Sequence, residues 1–158
     1  MNTVIEFNYS NSTDDWSTHG NSGGKPLPRG RNNHLKLFEL AEALNVREKA
    51  LGSEHLNTLQ SRHNMSSGFY DMGRVQEAVS LYEYTMRIRE RAPGPEHPDT
   101  LDSRNNLARG YYSLGRVSEA VRLYEGTLIT RERVLGPKHP DTLHSREFLD
   151  AAYRSLGN

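Results

Sequence analysis

The chain has 158 residues, enough for one ordinary domain, with 20 basic and 20 acidic side chains in balance and no cysteine. That balance argues against a nucleic-acid binder, which carries a basic excess. The lack of cysteine excludes disulfides, thiol catalysis and cysteine-ligated zinc, and it fits a reducing compartment. No apolar run approaches the roughly 18 residues of a membrane-spanning helix. The opening MNTVIEFNYSNSTDDWSTHG has neither the basic nor the apolar region of a secretory signal. A cytoplasmic protein without nucleic-acid or membrane contact is expected.

Residues 1 to 33 differ in character from the rest. Fourteen of these 33 are Gly, Ser or Asn, and the apolar residues among them show no period. HGNSGGKPLPRGRNN has the composition of a linker that buries too little to offset its ordering entropy. The segment reads as a disordered lead-in, with a docking tail around Trp16, beside Asp14 and Asp15, as the functional alternative.

From His34 onward the pattern is helical. Residues 35–51 form a lone second helix, 57–72 and 75–91 a full pair, 99–114 and 117–134 another pair, and 141–156 a final first helix. Val75, Ala78, Val79, Tyr82 and Met86 make one stripe of a 3.6-residue helix. Leu107, Ala108, Tyr111 and Leu114 make another. Gly73 and Gly115 stand where one helix ends and the next begins. His97-Pro98-Asp99-Thr100 breaks the preceding helix and caps the next, and His139-Pro140-Asp141-Thr142 repeats the device.

The whole arrangement copies itself every 42 residues, as Gly52, Gly94 and Gly136 mark. A fixed period of this size denotes stacked supersecondary units. Close helix crossings need small side chains, and Ala108 and Ala120 supply them across the turn at Gly115. Ser66 and Ala78 do so one period earlier across Gly73. Leu107, Tyr111 and Tyr124, with their counterparts Met65, Phe69 and Tyr82, supply the surrounding bulk.

This order of large, small, aromatic, Gly, Ala and aromatic resembles the tetratricopeptide repeat. GPEHPDTLDSRNNLA, GRVSEAVRLYEGTL and RERVLGPKHPDTL resemble in particular its 42-residue, kinesin-light-chain-like subfamily, over residues 35–158. Similar arrays end bacterial, especially actinobacterial, regulators with an NB-ARC-type ATPase module. The resemblance implies an all-α, α-α superhelix of about two complete pairs and a half-repeat at each end. Two departures stand out. Lys36 and Glu39 occupy the places of Ala78 and Leu81, so the first helix is degenerate. Asp150 replaces Ala108 in the last unit, as suits a solvent-facing cap.

The resemblance further implies a concave wall built from the first helix of each pair. The central repeat places Asp102, Asn105, Arg109, Tyr112 and Ser113 on it. The preceding repeat places Gln60, His63, Ser67, Tyr70 and Asp71 there, and the last helix His144, Glu147, Ala151, Arg154 and Ser155. Asn105 is the position that would hydrogen-bond the main chain of an extended peptide, since an amide both donates and accepts. Its counterparts His63 and Glu147 do not continue an Asn ladder. Tyr70 and Tyr112 are the candidate anchors.

Other recurring polar residues read as scaffold. His55, His97 and His139 fall once per repeat, but turns of neighbouring pairs stand roughly 8–10 Å apart, too far for shared coordination at about 2 Å. Glu90 and Glu132 in the RER tripeptides read as a solvated face. Arg62, Arg104 and Arg146 read as bridges between repeats. No nucleophile–base pair, metal-binding HExxH or phosphate loop is present, and no catalytic residue, metal or cofactor is expected. The leading expectation is a non-catalytic scaffold for a protein or peptide partner. The alternatives are a module that self-associates into a homo-oligomer through its incomplete end repeats, and a regulatory tail fragment of a larger ATPase-type regulator.

Overall fold

The computed structural model describes residues 29–157. Readings on residues 1–28 and on Asn158 lie outside that range. Six helices follow one another among the described residues: α1 (Arg29–Leu51), α2 (Leu56–Asp71), α3 (Val75–Arg91), α4 (Pro98–Ser113), α5 (Val117–Val134) and α6 (Pro140–Leu156). Each packs on the next, and α4 also touches α6. The result is an all-α superhelix. Helix α1 begins at Arg29, six residues before the start expected from periodicity.

Two local devices set the alternation. At the tight turns, Gly73 and Gly115 adopt φ of +76° and +75°, a left-handed conformation that glycine enters without a Cβ penalty. The N–H of Arg74 then donates to Phe69 O at 2.9 Å, and that of Arg116 to Tyr111 O at 2.9 Å, closing the helix end. At the longer turns the cap within the His-Pro-Asp-Thr stretch is the histidine itself. Nδ1 of His55, His97 and His139 accepts from the N–H two residues on, at 3.1, 3.2 and 3.2 Å. Pro98 and Pro140 follow in the first turn, where no backbone donor is needed. The threonines instead turn inward. Thr58 and Thr100 donate to the carbonyls of Arg47 and Arg89, tying each helix start to the end of the helix before.

The core lies in two adjoining clusters. One gathers Met65, Phe69, Ala78, Val79, Tyr82 and Leu107; the other gathers Ala108, Ala120, Val121, Tyr124, Leu149 and Ala152. The crossing residues Ser66, Ala78, Ala108 and Ala120 are fully buried. Each large apolar side chain enclosed here contributes about 1.5–3 kcal/mol by leaving water. The outer faces of α1 and α6 have no such cover: Phe38, Val46, Leu143 and Tyr153 are exposed.

Candidate functional site

Buried arginines frame the inner face. Arg89, at the end of α3, is 1% exposed. Its Nη1 donates to Asp99 O at 2.9 Å and Ser103 Oγ at 2.7 Å, and its Nη2 to Gln60 Oε1 at 2.9 Å. One period later Arg131 donates to Asp141 O at 3.1 Å, to Ser145 Oγ at 2.7 Å and to Asp102. Arg47 donates to Ser61 in the same way. The first arginine of each RER tripeptide is therefore an internal clamp, a role that the sequence reading, which concerned the glutamates, did not assign. A guanidinium fork meets several acceptors at once, and this compensates its desolvation. The glutamates face outward: Glu48, Glu90 and Glu132 pair with Arg62, Arg104 and Arg146 of the following helix.

These clamps occupy part of the expected wall. Gln60 and Asp102 are engaged by Arg89 and Arg131. Asn105 is 6% exposed, and its Oδ1 accepts from Ser145 Oγ at 3.4 Å. The amide expected to meet a peptide main chain thus lies in the contact between α4 and α6. Its counterpart His63 is half-buried between α2 and α4, with its ring edge-on to Tyr82 at 5.4 Å. Asn106 Nδ2 donates to His63 Nε2 at 3.2 Å, which leaves the proton on Nδ1, 3.5 Å from Ser103 Oγ. Burial, reinforced by the charges of Arg89 and Arg109, pushes the His63 pKa down to about 4, so the ring is neutral at physiological pH.

The remaining wall residues converge. Tyr70 of α2, Arg109, Tyr112 and Ser113 of α4, Tyr124 of α5, and Phe148 and Ala151 of α6 line a groove of about 300 Å³. Arg109 lies over the Tyr70 ring at 4.2 Å, a cation–π contact. Tyr70 and Ser113 join hydroxyl to hydroxyl at 2.8 Å, and Tyr112 and Ser155 at 2.7 Å. These two bonds repeat one period apart and hold both tyrosine rings at the rim. Tyr124 stacks on Phe148 at 5.7 Å and 9° to form the floor. Burial raises the Tyr124 hydroxyl above its usual range.

Arg109 is the distinctive charge. It forms no ion pair with any described residue; its Nε, like those of Arg89 and Arg131, is buried without a hydrogen-bond partner, and its guanidinium faces the Tyr82 hydroxyl as a hydrogen-bond donor. Its counterparts are Ser67, which bonds Tyr82 OH at 2.7 Å, and Ala151. The groove is therefore specific to the central repeat.

The other expected wall residues stay outside the groove. Asp71 faces Lys36 at 4.0 Å. Glu147 lies near His144 on its own helix, and Arg154 Nε donates back to Asp150 O at 3.3 Å. Tyr124 and Phe148 were not expected at the site. Phe148 had a signal: it stands where Asn64 and Asn106 stand in the preceding periods. Among the described residues no three His, Asp or Glu side chains converge in a way that could hold a metal ion. No described helix is long and apolar enough to cross a membrane.

Comparison with known proteins agrees with this architecture. The tetratricopeptide repeat family model matches residues 58–99 and 100–141, two consecutive units that together exceed half of the chain. No curated protein sequence matches. Among solved structures, a kinesin light chain-type protein from Podosopora anserina with nearly identical TPR-like repeats is 33% identical, with a TM-score of 0.76. A single-substitution variant of that protein gives the same values. The alignment covers 82% of this chain and 61% of the other, so the chain spans about three fifths of that structure. With helix pairs matched over two full periods and that identity sustained over most of its length, the chain belongs to the tetratricopeptide-repeat family, in its kinesin light chain-like form.

Proposed function

We propose that the protein is a non-catalytic docking scaffold. It holds an extended partner segment along α2, α4 and α6, with an acidic side chain of that segment at Arg109. The carrying observation is a guanidinium with no carboxylate partner among the described residues, at a groove walled by Tyr70 and Tyr112 and floored by Tyr124 and Phe148. Tyrosines fixed by inter-repeat hydroxyl bonds offer contact area with little ordering cost. A cation in a partly desolvated aromatic setting favours a carboxylate, through charge-assisted and bidentate hydrogen bonds. The buried Asn105 leaves peptide main-chain recognition to the hydroxyls of Tyr70, Tyr112 and Ser113. No cofactor enters this reading.

The test is selection of displayed random peptides on the immobilised protein, followed by calorimetric titration of the enriched sequences. Peptides with a fixed Asp or Glu are expected, with affinity falling about tenfold for Arg109→Gln and for Tyr112→Ala. Enriched peptides without an acidic position, or affinities indifferent to Arg109→Gln, would overturn the proposal.

A further inference from the structure

The groove has a counterpart one period earlier in the same chain, and there the seat is filled. Arg109 of α4 reaches back over the Tyr70 ring of α2, at 4.2 Å to the centroid, and faces the Tyr82 hydroxyl of α3 as a donor. The bond from Tyr70 to Ser113 at 2.8 Å fixes that ring, and Tyr82 is fully buried. Two tyrosines and one guanidinium make a closed unit.

One period on, the two tyrosines recur and the guanidinium does not. Tyr112 takes the place of Tyr70, and its bond to Ser155 at 2.7 Å repeats the bond to Ser113. Tyr124 takes the place of Tyr82 and is 1% exposed. The place of Arg109 is taken by Ala151, whose methyl group leaves room for the groove of about 300 Å³.

Tyr124 thereby loses both of the partners that Tyr82 has. Ser67, which bonds Tyr82 at 2.7 Å, is replaced by Arg109, and Arg109 is turned towards the earlier repeat. The Tyr124 hydroxyl accordingly bonds no described residue, although the side chain is almost wholly sealed from bulk water. Leaving a buried phenol unpaired is costly, and one that lines a groove can regain its partner from a ligand. Phe148, standing where the earlier period has Asn106, adds an aromatic ring stacked on Tyr124 at 5.7 Å.

We propose that the groove is a vacated arginine seat, which takes an arginine side chain of the partner segment. The incoming guanidinium lies against the Tyr112 ring and donates to the Tyr124 hydroxyl, as Arg109 does at Tyr70 and Tyr82. Cation–π attraction strengthens in a partly desolvated aromatic setting, and a planar guanidinium stacks where a compact ammonium does not. Occupancy rests on the acidic docking proposed above, because Arg109 repels a second cation unless a carboxylate stands between them. Neighbouring repeats stand roughly 8–10 Å apart and an extended chain advances about 3.3 Å per residue, so the arginine falls within about three positions of the acid.

The experiment has one arm without a partner and one with it. Ala151→Arg supplies the guanidinium from the chain itself, and the variant is expected to melt at or above the wild-type temperature. Displayed peptides with a fixed Glu and random flanks are then selected on the full chain, and arginine is expected to be enriched beside the Glu. In calorimetric titration, replacing that arginine by citrulline, which keeps the shape without the charge, is expected to weaken an enriched peptide about tenfold. The Ala151→Arg protein is expected to bind the two peptides equally, because its own side chain fills the seat. Peptides that depend on Arg109 but show no arginine enrichment, or tolerate citrulline, would overturn the arginine seat and leave the acidic docking standing. A marked fall in the melting temperature of Ala151→Arg would also overturn the seat. Peptides indifferent to Arg109→Gln as well would overturn both proposals.

Discussion

Arg89 donates to Ser103 across the boundary between two helix pairs at 2.7 Å, from a guanidinium almost wholly sealed from water. The same fork also reaches Asp99 O and Gln60. Lysine at this position would keep the charge but lose the simultaneous contacts, leaving buried acceptors unpaired. Arg89→Lys is therefore expected to lower unfolding stability by roughly 3 kcal/mol. Arg91, two residues on, is exposed and meets Glu54 at 3.7 Å. Arg91→Ala is expected to stay within about 0.5 kcal/mol of the wild type. Urea denaturation of both variants measures the contrast, and equal midpoints would refute the clamp.

His63 makes stability depend on pH in a defined window. The ring titrates near 6.5 when the chain is unfolded and near 4 when it is folded, because burial and the charges of Arg89 and Arg109 oppose the imidazolium, with Asp99 acting the other way. As pH falls from about 6.5 towards 4, the unfolded chain takes up a proton that the folded protein refuses, and stability declines. Above that window the ring is neutral in both states and contributes no slope. The loss amounts to roughly 2–3 kcal/mol once fully developed. His63→Gln keeps a hydrogen-bonding side chain without the titration. The stability gap between variant and wild type is expected to shift in favour of the variant between pH 7.5 and 4.5. Parallel pH profiles would show that His63 is not the group responsible.

How far the sequence reports each feature depends on how local its cause is. Gly73 and Gly115 announce helix ends because only a left-handed residue closes those turns, and that requirement lies within a few residues. Ala108 and Ala120 announce the helix crossing because bulk there would separate the two backbones. Asn105 and Arg89 are different. Both are polar, both recur near helix surfaces, and which side of the helix meets solvent is decided by a residue about 40 positions away for Asn105 and 14 away for Arg89. The recurrence of Ser61, Ser103 and Ser145, each 14 residues after an arginine, carried that information only as a pair. The groove escaped for a related reason. Five of its residues follow from the family pattern, whereas Phe148 breaks the repeat and takes effect only when stacked on Tyr124.

Two glycines in helix interiors predict opposite outcomes for one substitution. A Cβ on Gly110 would lie 2.5 Å from Val79 Cγ2, so the α3–α4 contact has no room for it. Gly110→Ala is expected to cost about 1–3 kcal/mol through overpacking, despite the better helix propensity of alanine. A Cβ on Gly126 in α5 would meet nothing within 4 Å. Gly126→Ala is expected to add about 0.5–1 kcal/mol by reducing the freedom of the unfolded chain. Adding Val79→Ala to Gly110→Ala removes the clashing methyl groups and is expected to cost less than the sum of the two single changes. Melting curves of the four variants decide the matter, and additive losses would contradict the close approach.

The histidine caps make a last, separable prediction. His97 Nδ1 accepts the N–H of Asp99 at 3.2 Å and satisfies one of the open donors at the start of α4. His97→Ala removes the acceptor and is expected to cost about 1 kcal/mol. His97→Asp restores a side-chain oxygen within reach of the same N–H and sets a negative charge at the positive end of the helix dipole. The aspartate variant is therefore expected to match or exceed the wild type at neutral pH, whereas a role for His97 as a metal ligand would make it the weaker protein. Thermal melts with and without added zinc separate the two roles. For a cap, the order aspartate, histidine, alanine is unchanged by the metal; for a ligand, zinc raises the melting temperature of the histidine form alone.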